Sequence, residues 1–192
     1  ADLRLPIQGV ITFNKEQLLL GRIISGKMSI GDKIMILPHE EIIEIKKLSI
    51  GHTELREAVI GQSITMSCDS NIKVSRGDMI CSPELMPTNT LEHNAMIVWF
   101  DSINNLREGS DYIIQHTTHK TKVIISNIDY VLDTISLNKK KEINVQCNEV
   151  ARVSFQTEQP LYIDSYMTNR SSGSAILIDA ATNNTVAIAM FE

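Results

Sequence analysis

A glycine- and lysine-bearing segment, GRIISGKMSIGD at residues 21–32, has part of the spacing of a phosphate-binding loop. Gly21 and Gly26 are separated by four residues, and Lys27 follows directly. A working loop of this kind follows a buried strand, opens a helix and places Ser or Thr after the lysine to hold magnesium. Met28 occupies that place, and SIGDKIMILP alternates as a strand does after a turn. We therefore predict a strand–turn–strand unit that binds no nucleotide.

Histidine and aspartate side chains offer two further kinds of chemistry. His116 and His119 lie three residues apart in HTTH, a spacing that places them on opposite sides of a strand. A zinc site would need two more ligands, and no CxxC motif supplies them. Asp129, Asp164 and Asp179 could form acid–base pairs only in unequal environments, and the sequence shows no nucleophile with a base. We expect a polar strand end for the histidines and turn or hairpin roles for the aspartates.

Cysteine and arginine side chains are also predicted to be structural. Cys68, Cys81 and Cys147 are odd in number, which indicates a reducing cytoplasm, and Cys68 and Cys147 are expected to be buried and unreactive. Arg22 and Arg76 can contact a partner, but we favour hydrogen bonding within the fold because a guanidinium satisfies several carbonyls. The sequence thus predicts no catalytic, cofactor-binding or metal-binding residue in this chain.

Composition places the chain among ordinary globular proteins. It has 192 residues, 43% hydrophobic and 21% charged, with a net charge of -5. The acidic balance argues against nucleic acid as a partner. No apolar run approaches the roughly 18 residues of a membrane span, and no signal peptide opens the chain, so we expect no membrane association. The chain begins at Ala1 without a methionine, and we expect it to be a piece of a longer protein.

Short β-branched runs separated by Gly, Asn, Asp or Pro predict an all-β fold of two consecutive closed barrels. The proline-bearing stretch 82–93 is predicted to be a linker that divides the chain into domains at 1–88 and 89–192, and HTELREAV at 52–59 is predicted to be a turn or a short 3₁₀ segment. NKKKEIN at 138–144 is expected to be a solvated hairpin tip, with a contact to an acidic or phosphate-bearing partner as the alternative. The predicted strands are Ile7–Phe13, Leu18–Ser25, Asp32–Leu37, Ile42–Ser49, Ser63–Cys68, Asp78–Ile80, Asn94–Phe100, Asp111–Thr117, Thr121–Tyr130, Glu149–Phe155, Ala175–Asp179 and Val186–Phe191.

The first half resembles the second domain of the translation-factor GTPase superfamily. The resemblance rests on GRIISGKMSIGDKIMILP, AVIGQSITM and VSRGDMI, which carry that domain's strand ends and turns in order. It implies that Gly26 and Gly31 are turn glycines with positive φ. The matching positions are Gly21, Arg22, Ser25, Gly26, Gly31, Asp32, Leu37, Pro38, Gly61, Arg76, Gly77 and Asp78.

The second half resembles domain three of the large, GTP-hydrolysing subunit of bacterial sulfate adenylyltransferase. The resemblance is carried by EQPLYIDSYMTNRSSGSAILIDAATNNTVAIAM, and the opening LRLPIQGV resembles that subunit's entry into domain two through Arg4, Pro6, Gln8 and Val10. The matching positions in the second half are Pro160, Leu161, Asp164, Tyr166, Asn169, Gly173, Ile178, Asp179, Asn183, Thr185, Val186 and Met190.

This resemblance implies a non-catalytic C-terminal part of a cytoplasmic enzyme subunit that couples GTP hydrolysis to the synthesis of adenylyl sulfate from ATP and sulfate. The chain lacks the phosphate loop, the Asp-x-x-Gly turn and the Asn-Lys-x-Asp base reader. GTP and magnesium would therefore belong to a preceding GTPase domain, and this chain would hold no cofactor. The implied partners are that domain and the small adenylylating subunit.

Two other functions stay open at this point. The barrels could bind tRNA or the ribosome, as in elongation factors, and a contiguous basic face would favour that function. Alternatively, the chain could be a freestanding β-barrel binding module without a GTPase. A GTPase domain encoded upstream of Ala1 would favour the sulfate adenylyltransferase fragment over such a module.

Overall fold

The computed structural model describes residues 2–68, 72–133, 136 and 138–192. These residues form strands and turns without any helix, which confirms the predicted all-β class. They divide into two compact units, residues 1–87 with 117–119 and residues 88–116 with 120–192.

The first unit contains a closed barrel. Strands β4, β9, β1, β2, β8 and β5 are hydrogen-bonded in that order, and β5 pairs back with β4. All these pairings are antiparallel, β6 extends β5, and β3 pairs with β7. The strands of this unit are β1 Arg4–Phe13, β2 Glu16–Arg22, β3 Lys27–Ser29, β4 Lys33–Leu37, β5 Glu41–Ile50, β6 Thr53–Leu55, β7 Glu57–Val59, β8 Ser63–Cys68 and β9 Met79–Cys81.

Alternating side chains build the core of this barrel. Strand β5, EIIEIKKLSI, points Ile43, Ile45 and Leu48 inward, where they meet Leu5 and Leu19 from β1 and β2. Each such side chain, once fully buried, stabilises the fold by about 1.5–3 kcal/mol. Closure pairs every barrel strand on both sides, so the barrel itself presents no free edge.

The second unit repeats this architecture. Strands β12, β17, β18, β10, β16 and β13 are paired in that order, β13 pairs back with β12, and β14 extends β13. The core is packed around Trp99, Phe155 and Phe191. The strands are β10 Thr88–Trp99, β11 Leu106–Arg107, β12 Asp111–His116, β13 His119–Leu132, β14 Lys139–Lys140, β15 Asn144–Val145, β16 Val150–Ile163, β17 Ser174–Ile178 and β18 Thr185–Phe191.

Two sequence predictions are wrong in detail. The segment 52–59 forms β6 and β7 rather than a turn or 3₁₀ segment, because β5 and β3 supply partners for its backbone groups. The predicted linker 82–93 is shorter, since β10 begins at Thr88 and pairs its first residues with the end of β16. Strand β16 in turn continues past Phe155 to Ile163.

Candidate functional site

The segment resembling a phosphate loop contains the end of β2, a bend at Gly26 and the whole of β3. Gly26, at φ +73°, turns the chain from the end of β2 towards β3. Lys27 Nζ lies 2.7 Å from Glu57 Oε2, and the side chain of Met28 is fully buried in the core. The lysine is neutralised by a carboxylate, and the position where a phosphate loop has Ser or Thr is taken by a buried methionine. This segment therefore pairs strands, as predicted.

A second turn completes this unit. Gly31 has φ +91°, and the backbone N–H of Ser29 donates to Asp32 Oδ2 at 2.7 Å. The positive φ predicted for Gly26 and Gly31 is therefore confirmed. The N–H of Ser29 is occupied by a side chain of its own turn, which leaves it unable to bind an anion.

The prediction of a polar strand end is wrong for His116, which ends β12 but is buried in an aromatic cluster, while His119 begins β13 and is half-buried. His116 is 2% exposed, its Nε2 lies 2.8 Å from the carbonyl oxygen of Ser172, and its ring contacts Phe191. His93, which sequence reasoning missed, stacks on Phe155 and also contacts Phe191. Burial, followed by the charge of His116, lowers the pKa of His93 to about 4. Among the described residues no group of three or more His, Cys, Asp or Glu side chains could hold a metal ion.

The structure does not bring the three aspartates together. Asp129 pairs with Arg152, and Asp164 accepts a hydrogen bond from the hydroxyl of Ser172. Asp179 accepts hydrogen bonds from the turn that follows it, and the backbone N–H of Thr182, at 2.7 Å, holds the pKa of its carboxyl below the usual value. Asp164 and Asp179 therefore have the loop and turn roles that were predicted, whereas the prediction is wrong for Asp129, which lies within β13 and pairs with Arg152 of β16.

The cysteines are reduced thiols in three different settings. Cys81 is fully buried, whereas Cys68 and Cys147 are half-buried, less than the sequence predicted. Cys147 Sγ lies 3.3 Å from the carbonyl oxygen of Phe100, to which it donates.

The predicted hydrogen bonding within the fold is confirmed for Arg76, and for Arg22 it stays a prediction. Arg76 donates from Nη1 to the carbonyl oxygen of Gln8 at 2.8 Å, whereas Arg22 is exposed. Sequence reasoning missed the most buried arginine, Arg4, which is 1% exposed and donates to the carbonyl oxygens of Leu3 and Leu85, both at 2.8 Å. The only signal in the sequence is its place between apolar residues at the start of a strand.

A polar cleft of about 580 Å³ opens on the second barrel beside Tyr112. Its carboxylates serve their own loops, since Asp101 Oδ1 accepts the backbone N–H groups of Ile103 and Asn104 at 2.8 and 3.2 Å. Burial raises the pKa of Tyr112 above its usual value. The carboxylates of the cleft thus stabilise their own loops, and the side chains that line it include no activated nucleophile.

The segment 164–174, which carries much of the resemblance in the second half, is a tightly closed loop. The N–H of Gly173 donates to the carbonyl oxygen of Asn169 at 2.7 Å, and the N–H of Tyr166 donates to that of Phe191 at 2.9 Å. A Cβ at position 173 would lie 2.5 Å from the backbone of Tyr166, so only glycine fits. These motif residues attach the loop to the end of β18.

In the part of the chain that the structure describes, no helix has the length and apolar character needed to cross a membrane.

Comparison with protein families gives one matching model. The model described as the GTP-eEF1A C-terminal domain-like family matches residues 92–192, which is more than half of the chain.

Comparison with characterised proteins gives relatives that match both barrels. Sulfate adenylyltransferase subunit 1 of Bacteroides fragilis is 35% identical over 191 residues, covering 99% of this chain and 40% of the relative. The bifunctional enzyme CysN/CysC of Mycobacterium tuberculosis is 34% identical over 195 residues, covering 98% of this chain and 32% of that protein. The chain therefore spans about 40% of the length of its subunit 1 relatives.

Solved structures of translation factors share the fold. Sup35 complexed with GDP superposes with a TM-score of 0.88 at 17% identity, covering all of this chain and 47% of Sup35. Elongation factor SelB from Methanococcus maripaludis superposes with a TM-score of 0.80 at 14% identity, covering all of this chain and 42% of SelB. The predicted barrel type is thereby confirmed.

Proposed function

Because this chain belongs to the GTP-eEF1A C-terminal domain-like family, we propose that it forms the two C-terminal barrels of a sulfate adenylyltransferase GTPase subunit. The observation that carries this proposal is the 35% identity to sulfate adenylyltransferase subunit 1, which runs over 191 residues and so through both barrels. In this proposal the GTP-hydrolysing domain lies in the part of the longer protein that this chain does not cover.

The whole protein would couple GTP hydrolysis to adenylyl transfer. A sulfate oxygen attacks the α-phosphorus of ATP, the bond to pyrophosphate breaks, and adenylyl sulfate forms. GTP and magnesium would bind the GTPase domain, and a separate small subunit would carry the adenylylation. The engaged Lys27 and buried Met28 support a non-catalytic role for this chain.

The barrels would transmit the nucleotide state of the GTPase domain. A two-state GTPase drives a second reaction only if its two states contact something differently. Each closed barrel has a continuous buried core, which suits an element that moves as a rigid body. The proposed subunit works in the cytoplasm, where its three free cysteines stay reduced.

RNA binding, as in the structurally similar translation factors, is less well supported. Binding to phosphates needs cations that are free to pair with them. Several cations of this chain instead lie against carboxylates: Lys27 with Glu57, Lys140 with Asp133, and Arg152 with two acidic side chains. The net charge of -5 also disfavours binding to the negatively charged phosphates of RNA.

The experiment that tests this proposal compares two purified proteins in the presence of the small subunit. The 192-residue chain alone is expected to give neither GTP hydrolysis nor adenylyl sulfate. The longer product of the same gene is expected to give both. If the longer product binds RNA tightly and makes no adenylyl sulfate, the translation-factor function replaces this one.

A further inference from the structure

Strand β18 carries apolar side chains on both of its faces, and Phe191 points with its two alanines into the core of the second barrel. Ala187 and Ala189 are fully buried inside, whereas Ile188 and Met190 lie on the outer surface. A barrel surface that faces water normally carries polar side chains at the outward positions. The apolar residues at the outward positions of β18 indicate that something other than water covers its outer surface.

The strands beside β18 continue this apolar surface in register. Strand pairing places outward aliphatic side chains directly opposite one another on five adjacent strands. A second row, one pleat further along, adds two methionines and a tyrosine, with the charged Arg152 between Met96 and Tyr130, and Phe100 follows the end of β10. The apolar face consists of Ile176, Ile188, Val98, Val150, Leu132, Met190, Met96, Tyr130 and Phe100.

Away from this face the outward positions of the same strands are mostly polar. Further along β16 they are Ser154, Gln156 and Glu158, and on β13 they are Lys122, Ser126 and one aliphatic residue, Ile124. On the face itself, Ile188 and Phe100 are 39% and 40% exposed. The apolar face is thus a bounded patch of the kind that marks a docking site.

Charges within and around the apolar face compensate one another, and Arg152 is the charge that lies within its second row. Arg152 pairs with Asp129 and with Glu192, Lys140 Nζ lies 2.6 Å from Asp133, and Lys139 lies over the ring of Tyr130. The polar rim, formed by these charged residues, therefore attracts neither cations nor anions strongly. A partner that fits it has an apolar, uncharged surface of its own.

The size of the apolar face bears on what covers it. Five strands about 4.8 Å apart and roughly 13 Å of strand length give an area of about 250 Å². Two copies packed face to face would bury only about 500 Å² of apolar surface, below the roughly 700 Å² that is the apolar part of the smallest specific interfaces, which bury about 1,200 Å² in total. A larger partner that also covers the polar rim reaches that size.

We infer that the apolar face docks a separate protein subunit with an apolar, neutral surface. This inference rests on the proposed function and identifies the partner as the small subunit of sulfate adenylyltransferase. Relatives of this chain are named as subunit 1 of that enzyme, which presupposes another subunit. Permanent interfaces between different subunits are the more hydrophobic class, in keeping with this face.

The test measures binding of the small subunit from the same organism to three versions of the chain by calorimetry. In Ile188→Arg a cation would be buried without a partner, so the dissociation constant is expected to rise at least tenfold. Ile124→Arg is the matched control, because Ile124 is an outward aliphatic residue of the same barrel, 53% exposed, and lies off the apolar face. It should bind like the wild type, and thermal melts establish that both variants are folded.

Each other outcome has a definite meaning. If the wild type and both variants bind equally well, the face is not the docking surface, while the proposed function stands. If the wild type binds no small subunit, the proposed partner and this inference both fail. If sedimentation shows a wild-type dimer that Ile188→Arg dissociates, a second copy covers the face and the inference is overturned.

Discussion

Substitution of Gly173 by alanine is the sharpest structural prediction. A Cβ there would lie 2.5 Å from both Cα and N of Tyr166 and 2.6 Å from the carbonyl oxygen of Asn169. All three are backbone atoms, so no rotamer change relieves the contact. The loop 164–174 would have to open, weakening the bonds from Gly173 N–H to Asn169 and from Phe191 N–H to Gly173, now 2.7 and 2.9 Å long.

The expected loss follows from these contacts. Overpacking costs about 1–3 kcal/mol, and each strained hydrogen bond contributes about 1 kcal/mol more. We expect a loss of about 3 kcal/mol in the free energy of unfolding of the second barrel. At roughly 4–8 °C per kcal/mol, its melting temperature should fall by about 12–24 °C.

Trp99 provides the assay, because it is the single tryptophan and is buried in the second barrel. Its fluorescence on heating reports the unfolding of that barrel alone. Ser171→Ala is the control, because Ser171 is exposed in the same loop and its hydrogen bond to Asn169 Oδ1 comes from its backbone N–H. A Gly173→Ala protein that melts together with the wild type would refute the description of the loop.

Three further predictions concern the turn, pH and nucleotides. Gly26→Val should destabilise the first barrel by about 1–3 kcal/mol, because a β-branched residue is strained at φ +73°; circular dichroism melts measure this. Since the pKa of His93 is lowered to about 4, the unfolded state takes up the proton first, and stability should fall by up to about 1.4 kcal/mol per pH unit from about pH 6.5 to 4. Denaturant titrations across that range should show the slope, and His93→Phe should reduce it. Calorimetric titration of the chain with GTP or ATP and magnesium should give no heat, whereas micromolar binding would overturn the turn assignment at Gly21–Ser29.

Local sequence patterns predict much of this fold, because alternation and turn chemistry act over a few residues. Turn glycines such as Gly26 and Gly31 have the positive φ that their sequence context indicates. The prediction for segment 52–59 is wrong because it used only local preferences. Glu, Leu and Ala favour compact turns locally, but pairing with β5 and β3 makes the segment form strands.

Long-range contacts account for the features that the sequence did not reveal. Arg4 is buried because a carbonyl oxygen at Leu85 accepts its hydrogen bond, and that residue is 81 positions away. The cluster of His93 and His116 depends on Phe191, which is far from both in the sequence but lies on β18, a strand that pairs with β10. The apolar face likewise becomes visible only when register aligns residues from five strands.

The central claim is that these barrels couple a GTPase to adenylyl sulfate synthesis. The most direct test is the initial rate of pyrophosphate release by the reconstituted two-subunit enzyme, measured with and without GTP. We predict that GTP accelerates synthesis with the intact longer subunit, and that deletion of residues 1–192 of this chain leaves GTP binding but abolishes the acceleration. Full stimulation by the truncated subunit would contradict the account.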